Sequence, residues 1–258
     1  MSNHNKALID FVTKVRGEIM SKHKLVQKAK LIDRPNRFLA RVEVDGQIVE
    51  TFVPNPGRMN EFMIPGKQVF IRNNPAPHRK TSYDMMGVDH DGVIVSIDSN
   101  LPNRFIRRLL ENHELPYLSD YDDVVSEPRV YDGRFDFRLV GTKTSLVEVK
   151  SCTLVEGGHA LFPDAPTIRG ARHMRHLARA LTEDIAQHAA VIFVIQRPDA
   201  HIFSPHDGND PLFGDSLRSA FLLGVDVIPL VTEVVNWDLK LVDRIPFDLG
   251  PLRRFVIK

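Results

Sequence analysis

The stretch RFDFRLVGTKTSLVEVKS, residues 134–151, decides how this chain folds. Two short apolar-rich runs flank a turn-like Gly-Thr-Lys-Thr, so the stretch predicts a β-hairpin. Because side chains alternate between the two faces of a strand, Glu148 and Lys150 point the same way. In the right register Asp136 joins them, which places two carboxylates and one ammonium in a single patch. Such a patch suits a divalent metal ion and a phosphodiester.

The length of the hairpin loop decides whether Asp136 reaches this patch. A three-residue loop at Gly141–Lys143 pairs Asp136 with Glu148, and the same loop moved by one residue pairs it with Lys150. A two-residue loop turns the aspartate to the opposite face, because a slip of one residue reverses every side chain. The alternative interpretation is an amphipathic hairpin whose charged side chains are simply exposed, as charged residues usually are.

The composition of the 258-residue chain is typical of a soluble globular protein. No run approaches the roughly 18–20 apolar residues that span a bilayer, and the N-terminus lacks the apolar core of a secretion signal. The single cysteine, Cys152, excludes an internal disulfide and a cysteine-based zinc cage. We therefore expect a cytoplasmic protein without a membrane partner.

Charge is unevenly distributed along the chain, although the net charge is only +1. Between residues 14 and 80 there are 14 lysines and arginines against six acidic residues. A basic first third fits a polyanionic partner, whereas a solvated surface is the usual role of such residues. DNA and RNA are polyanions of this kind.

Changes in hydrophobic periodicity divide the chain into three regions. Apolar residues at helical spacing predict an N-terminal helical extension over residues 1–24. A period of two and two Asp-Gly turns then predict five or six short strands over residues 25–98, with an OB-fold-like β-barrel as the first candidate. Barrels of this type bind oligonucleotides in a basic groove, to which we assign Arg37 and Arg58.

Residues 99–258 predict a second domain of mixed α and β structure. Their order begins α-β-β-β-α-β, with Asn103 as the candidate N-cap of the first helix and a loop over residues 159–167. A mixed sheet in this order, with Asp and Glu-x-Lys on its second and third strands, is the core of PD-(D/E)xK nucleases. The predicted class is therefore α+β, an OB-fold-like barrel followed by a PD-(D/E)xK nuclease-like α/β domain with a mixed central sheet.

The helix predicted over Ile168–Leu181 has a strongly basic face. Its apolar residues fall on one side of the helical wheel, and no acid interrupts the polar side before Glu183. Like charges on one face repel unless an anion or nearby carboxylates offset them. We assign this face to nucleic-acid phosphates, without base specificity, and a surface helix without a partner is the alternative. The assigned residues are Arg169, Arg172, His173, Arg175 and His176.

Seven blocks between about Arg37 and Val231 are distinctive. They read RFLARVEVDG, VPNPGRM, LPNR, GRFDF, VEVKSCTLV, ALFPDAPTIRGARHMRHL and VIFVIQRPDA. These blocks closely resemble the sugar fermentation stimulation protein A family. The resemblance implies an OB-like domain, a PD-(D/E)xK-like domain, DNA binding and a role in regulating genes of sugar utilisation, notably of maltose. The VPNPGRM block departs from the usual family form at Val53, Pro56 and Arg58, so no family ligand is transferred to this loop.

The resemblance also implies a metal site at the positions that match the nuclease motif. Asp136 and Glu148 would hold Mg²⁺ or Mn²⁺, ions that prefer oxygen ligands, and the carbonyl of Val149 would supply another oxygen. Lys150 would orient or help to deprotonate the attacking water and balance charge in the transition state.

Two functions follow from these assignments. In the first, the protein is a Mg²⁺-dependent nuclease that hydrolyses phosphodiester bonds. In the second, it is a non-catalytic DNA-binding regulator of sugar (maltose) metabolism genes, with the nuclease fold as a platform. Glu111 or Glu127 is assigned to the surroundings of the metal ligands, and Gln196 either to the same site or to simple strand termination. A homodimer is one of the oligomeric states left open.

Overall fold

The computed structural model describes residues 26–254 and 256. The predicted helical extension, residues 1–24, lies outside the described residues. The described chain forms a β-barrel followed by a domain of mixed α and β structure, which confirms the predicted fold class. None of the helices in residues 26–254 is both long and apolar enough to cross a bilayer.

Six strands of the described chain form the barrel: β1 (Val26–Asn36), β2 (Leu39–Val44), β3 (Gln47–Phe52), β4 (Gln68–Asn73), β5 (Tyr83–His90) and β6 (Val93–Ser96). Their order in the sheet is β3-β2-β1-β4-β5-β6, and a parallel pairing of β3 with β5 closes the barrel. β1 pairs with β4 along one edge and with β2 along the other, and two register shifts interrupt its pairing with β2. Alternation along β2 buries Ala40, Val42 and Val44 and exposes the residues between them.

Both predicted Asp-Gly turns are present in the barrel. Asp45 and Gly46 have φ angles of 51° and 74°, and Asp91 and Gly92 have φ angles of 55° and 88°. A two-residue hairpin turn that matches the strand twist needs positive φ at both central positions, which these residue types tolerate. The sequence therefore specifies two of the barrel connections locally.

The second domain contains three helices and eleven strands within the described residues. They are α1 (Leu101–Glu111), β7 (Asp123–Ser126), β8 (Arg129–Val130), β9 (Gly133–Arg134), β10 (Phe137–Val140), β11 (Thr144–Cys152), β12 (Leu154–Glu156), β13 (His159–Phe162), α2 (Ile168–Thr182), β14 (His188–Ile195), β15 (Ile202–Pro205), α3 (Pro211–Leu222), β16 (Asp226–Val235) and β17 (Asp238–Arg244). The central sheet has the order β17-β16-β14-β11-β10-β7. Because β11, β14 and β16 run parallel and the other neighbours antiparallel, the sheet is mixed, as predicted.

Different helices cover the two faces of the central sheet. Leu146 of β11 belongs to the core that α2 and α3 complete, whereas Val147 and Val149 belong to the core that α1 completes. β14 is buried on both faces, which explains its unbroken apolar sequence. Glu148 and Lys150 alternate with the two valines and therefore lie on the side of α2.

Two local predictions for this domain were wrong. The N-cap of α1 is Asn100, and Asn103 lies inside the helix, because Pro102 favours a helix start just before it. Residues 159–167 were expected to form a loop, but the first four of them form β13, which pairs with β12 and in parallel with β15. The partner β15 lies about 40 residues further along the chain, so no local pattern specifies this strand.

Trp237 joins the two domains. It lies in the turn between β16 and β17, where Asn236 and Trp237 have φ angles of 52° and 63°. Its ring packs against Phe70 of the barrel, with the ring centroids 5.0 Å apart. It also lies over Gly87, where an added Cβ would come within 3.1 Å of the indole and 2.5 Å of the carbonyl oxygen of Val95. Glycine at this position therefore permits the close approach of the two domains.

Candidate functional site

The hairpin has a register that brings Asp136 towards Glu148. β10 and β11 pair as far as Val140 and Thr144, which leaves a three-residue loop at Gly141–Lys143. The odd-loop register is therefore confirmed, and Asp136 immediately precedes the first paired residue of β10. An added Cβ on Gly141 would lie 2.2 Å from the backbone oxygen of Asp120, in the loop between α1 and β7, so this turn needs a glycine.

Asp136 is held jointly by β11 and α1. Its Oδ2 accepts a hydrogen bond from the backbone N–H of Val149 at 2.7 Å. Its Oδ1 accepts one from Nδ2 of Asn103 at 2.6 Å. Asn103 thus orients this carboxylate, a role that the sequence analysis missed.

Glu148 is almost fully buried, with only 3% of its surface exposed. Its Oε1 is contacted by Nζ of Lys150 and by Nδ1 of His173. Its Oε2 is also buried but has no hydrogen-bond partner among the described residues. Leaving a buried carboxylate oxygen unsatisfied is costly, so this atom requires an explanation.

The two carboxylates differ in their affinity for a proton. Burial, reinforced by the charge of Glu148, raises the pKa of Asp136 to about 6, against the opposing effects of its bonds to Val149 and Asn103 and of Lys150. Burial also raises the pKa of Glu148, but the charge of Lys150 and the contact with His173 outweigh it and bring that pKa below its ordinary value. At neutral pH Glu148 is therefore ionised, while Asp136 takes up a proton more readily than an ordinary aspartate.

The two carboxylates fit a hard divalent cation. No group of three or more His, Cys, Asp or Glu side chains in residues 26–254 is placed to hold an ion on its own. Mg²⁺ needs no such cage, because it keeps several waters and commonly takes one or two carboxylates together with substrate phosphates. A cation held by both carboxylates would give the orphaned Oε2 of Glu148 a partner and would counter the rise in the pKa of Asp136.

The structure corrects the position of His173 on α2. The helical wheel placed it on the exposed basic face, but only 2% of its surface is exposed. Its ring lies 5.9 Å from that of Phe135 and contacts Glu148, while its Nε2 accepts a hydrogen bond from Nε of Arg169 at 3.3 Å. The i, i+4 relation of His173 to the buried Leu177 was the signal that could have identified it as an inward-facing residue.

Carboxylates offset part of the remaining basic face. Asp132 lies 3.4 Å from Arg172 and 3.5 Å from His176. Glu183 pairs with Arg179 at 2.7 Å. Burial and the neighbouring arginines lower the pKa of His176 despite Asp132, so this imidazole is largely neutral at pH 7. The arginines therefore supply the positive charge of this surface.

Arg37 and Arg58 lie on two barrel loops that one side chain connects. The guanidinium of Arg34 donates hydrogen bonds to the backbone oxygens of Arg37 at 2.7 Å, Arg58 at 2.7 Å and Asn55 at 3.0 Å. The second loop also borders the candidate site, since it shares a cleft of about 180 Å³ with residues 151–154 at the end of β11. The loop that carries Arg58 thus shares a cleft with Ser151, the residue after Lys150, although the Arg58 side chain does not line that cleft.

An exposed aromatic pair lies on the same barrel. Phe38 and Phe52 are 50% and 37% exposed, and their rings are nearly parallel with centroids 6.3 Å apart. The guanidinium of Arg79 lies 5.8 Å from the centre of the Phe52 ring. The sequence predicts these residues only as parts of strands, because neither ring belongs to a recognisable motif.

Three further assignments have different outcomes. Glu111 is half exposed and pairs with Arg107 on the surface of α1, so it is not directed at the site. Glu127 pairs with Arg134 at 3.1 Å. Gln196 is buried at the end of β14 and donates to Oγ of Ser151 at 2.9 Å, while its Oε1 has no partner among the described residues.

Comparison with known proteins gives a consistent result for both domains. The family model described as "SfsA N-terminal OB domain" matches residues 32–97, and "Sugar fermentation stimulation protein RE domain" matches residues 100–237. RE denotes a restriction endonuclease-like domain.

Two curated relatives carry the description "Sugar fermentation stimulation protein homolog". The protein from Desulfitobacterium hafniense is 38% identical over 229 residues, which is 88% of this chain and 98% of the relative. That from Alkaliphilus metalliredigens is 43% identical over 217 residues, 81% of this chain and 93% of the relative. A solved structure of SfsA from Pyrococcus furiosus, in complex with Ca²⁺, has a TM-score of 0.77 and 29% identity, and the match covers 87% of this chain and 96% of that one. This chain therefore belongs to the sugar fermentation stimulation protein family, with an OB domain followed by a restriction endonuclease-like domain.

Proposed function

We propose that this protein is a divalent-metal-dependent nuclease that hydrolyses phosphodiester bonds in DNA or RNA. The observation that carries the proposal is the state of Glu148. One oxygen of this buried carboxylate is held by a lysine and a histidine, and the other has no partner among the described residues. A buried carboxylate arranged in this way, beside a second one, is suited to ligating a cation.

Asp136 and Glu148 would hold Mg²⁺ or Mn²⁺, together with the carbonyl oxygen of Val149. The bound ion would polarise a phosphoryl oxygen and lower the pKa of a water molecule. Lys150 would orient that water and balance the negative charge that develops in the transition state. His173 fixes Glu148: because its Nε2 accepts from Arg169, its Nδ1 carries the hydrogen that is donated to Oε1.

The relative from Pyrococcus furiosus supports the binding of a divalent cation by a protein of this family. Its structure was solved in complex with Ca²⁺, which is also a hard cation that takes oxygen ligands. Mg²⁺ is smaller and keeps more of its waters, which fits a site with two carboxylates better than a dedicated cage.

Nucleic acid would bind along the arginines of both domains. Arg169, Arg172 and Arg175 lie on α2, directly beside His173 and Glu148. Arg58 lies on the barrel loop that borders the end of β11. Both domains thus carry arginines in segments that adjoin the candidate metal site, which suits contacts to the phosphates on either side of a scissile bond.

The aromatic pair on the barrel favours a single-stranded substrate. Unpaired bases stack on exposed aromatic rings, whereas bases in a duplex already stack on each other. Phe38 and Phe52 offer such rings on the same barrel as Arg37 and Arg79. We therefore infer that the barrel holds an unpaired strand and the second domain cleaves it.

The second candidate function is DNA binding without cleavage, as a regulator of sugar metabolism genes. The description of the family in terms of sugar fermentation favours it. The intact set of Asp136, Glu148 and Lys150 favours the nuclease, because a binding platform has no need of an unsatisfied buried carboxylate oxygen.

Cleavage assays with Mg²⁺ or Mn²⁺ separate the two functions. We expect the wild-type protein to cleave single-stranded DNA or RNA, and the Asp136→Ala and Lys150→Ala variants to lose at least about a hundredfold in rate. Asp123→Ala and Lys143→Ala are matched controls, since they remove the same charges from exposed positions on β7 and on the loop between β10 and β11. Equal cleavage by the wild type and both site variants would remove the catalytic proposal. Tight DNA binding without cleavage would support the second function, a non-catalytic DNA-binding regulator.

A further inference from the structure

A cavity of about 570 Å³ lies between the β8–β9 hairpin and the N-terminal half of α2. Four arginines from the two elements converge on it, together with one aspartate and the histidine that contacts Glu148. These lining residues are Arg129, Arg134, Arg169, Arg172, Asp132 and His173. The cavity therefore adjoins the candidate metal site, separated from Glu148 by a single imidazole ring.

The cavity carries more positive than negative charge. Among its arginines, Arg134 pairs with Glu127 at 3.1 Å and Arg172 lies 3.4 Å from Asp132. Within residues 26–254 the other two, Arg129 and Arg169, are paired with no carboxylate. If Glu127, which pairs with Arg134 from outside the cavity lining, is counted with Asp132, two carboxylates oppose the four guanidinium groups and leave an excess of two positive charges.

Two details indicate that an anion belongs in this cavity. Nε of Arg172 is buried and has no hydrogen-bond partner among the described residues. Arg169 lies in the first turn of α2, a turn that contains no acidic residue. The N-terminus of a helix is already positive, so an arginine there is unfavourable unless an anion offsets it.

We propose that this cavity binds the terminal phosphate of a nucleic-acid strand and directs the protein to strand ends. A terminal phosphomonoester carries about −1.5 to −2 charge at pH 7, whereas an internal phosphodiester carries a single negative charge. The excess of two positive charges matches the monoester. This inference rests on the proposed nuclease function, since it identifies the form of the substrate that reaches the site at Glu148.

Binding measured without divalent metal tests the proposal separately from cleavage. Short single-stranded oligonucleotides of one sequence are prepared with a 5′-phosphate, a 3′-phosphate or hydroxyl groups at both ends, and their dissociation constants are measured in EDTA. We expect one phosphorylated end to bind at least about tenfold more tightly than the hydroxyl ends, since several charge-assisted hydrogen bonds form. The end that shows the preference identifies the source of the phosphate.

Variants connect that preference to the cavity. Arg129→Gln should reduce the ratio between phosphorylated and hydroxyl ends to about twofold or less, with little effect on the hydroxyl-ended strand. Arg107→Gln is the matched control, because this exposed arginine lies on α1, which covers the opposite face of the sheet. It should leave the ratio unchanged.

Three outcomes would overturn the inference. The first is equal binding of phosphorylated and hydroxyl-ended strands by the wild type. The second is a preference that Arg129→Gln and Arg107→Gln reduce equally. The third is inorganic phosphate competing as effectively as a phosphorylated oligonucleotide, which would mean that the strand is not recognised. An end preference without cleavage would contradict only the nuclease proposal, and cleavage without an end preference would contradict only this one.

Discussion

The raised pKa of Asp136 gives the stability of this protein a pH dependence. A carboxyl group whose pKa is higher in the folded state favours folding while it is protonated, so its unfavourable contribution is absent below pH 4 and complete above pH 6. We expect this residue to lower the free energy of unfolding across that window by about 3 kcal/mol, since each unit of pKa corresponds to about 1.4 kcal/mol. Urea denaturation followed by circular dichroism, at a series of pH values, measures this change.

The Asp136→Asn variant separates the contribution of Asp136 from the contributions of the other titrating groups. An amide does not ionise, so the stability difference between wild type and variant should change between pH 4 and pH 6 and be constant at higher pH. A difference that is constant throughout would mean that Asp136 titrates at its ordinary pKa. Mg²⁺ added at pH 7 should stabilise the wild type more than the variant.

His173 is expected to matter through Glu148. The His173→Ala variant removes a hydrogen bond to a buried carboxylate, which should lower the free energy of unfolding by about 1.5–3 kcal/mol. It should also weaken Mg²⁺ binding by about 10- to 100-fold, because partners that orient a metal ligand typically contribute this much. Calorimetric titration with Mg²⁺ and urea denaturation provide the two measurements.

His176→Ala is the control for this helix. His176 is less buried than His173 and contacts Asp132 instead of Glu148. The same loss of Mg²⁺ affinity in both variants would show that α2 as a whole, rather than His173, supports the site.

The roles of individual residues were only partly predictable from the sequence. The alternation of strand residues placed Glu148 and Lys150 on one face, and the structure has them in contact. His173 was misplaced because a helical wheel classifies histidine as polar, whereas its burial depends on a carboxylate from a strand 25 residues earlier. Asn103 was misassigned for the same reason, since its partner Asp136 is distant in sequence.

At the scale of secondary-structure elements, the aromatic pair on the barrel provides a test of strand selectivity. Phe38→Ala and Phe52→Ala should each weaken binding of single-stranded DNA by about tenfold, because stacking contributes about 1–3 kcal/mol per base. Binding of duplex DNA should change little. Filter-binding assays with labelled DNA measure the affinity for both forms.

Ile48→Ala is the matched control for the barrel surface. Ile48 is 65% exposed and lies on β3, the strand that carries Phe52. If this variant weakens single-strand binding as much as the phenylalanine variants do, general loss of apolar surface explains the effect. An equal loss for duplex DNA would show that the rings do not select unpaired bases.

Elements were predictable where their determinants are local. The loop at Gly141–Lys143 sets the hairpin register over a few residues, and two Asp-Gly turns set barrel hairpins. β13 was missed because its pairing with β15 is long-range. β8 and β9 have only two residues each, so periodicity could not reveal that their hairpin faces α2 across a cavity.

At the scale of the whole molecule, we expect one nucleic-acid strand to contact the barrel and the second domain at the same time. Arg58→Ala in the barrel and Arg175→Ala on α2 should each reduce the slope of log affinity against log salt concentration by about 1, as expected for one lost phosphate contact. The double variant should reduce it by about 2. Binding titrations at several salt concentrations provide the slopes.

Arg107→Ala supplies the reference for a lost surface charge. It should leave the salt dependence unchanged, since Arg107 is paired with Glu111 away from both surfaces. A double variant with the slope of a single variant would contradict simultaneous contact with both domains. The sequence predicted the two domains and their order, but not how they meet, because that depends on residues far apart such as Trp237 and Phe70.

The position of Trp237 has a practical consequence. It is the only tryptophan in the chain, and its indole lies at the contact between the barrel and the second domain. Its intrinsic fluorescence therefore comes from this one junction. A shift of its emission towards longer wavelength would signal that water reaches the junction. An oligonucleotide that moves the domains apart could thus be followed in real time without any attached dye.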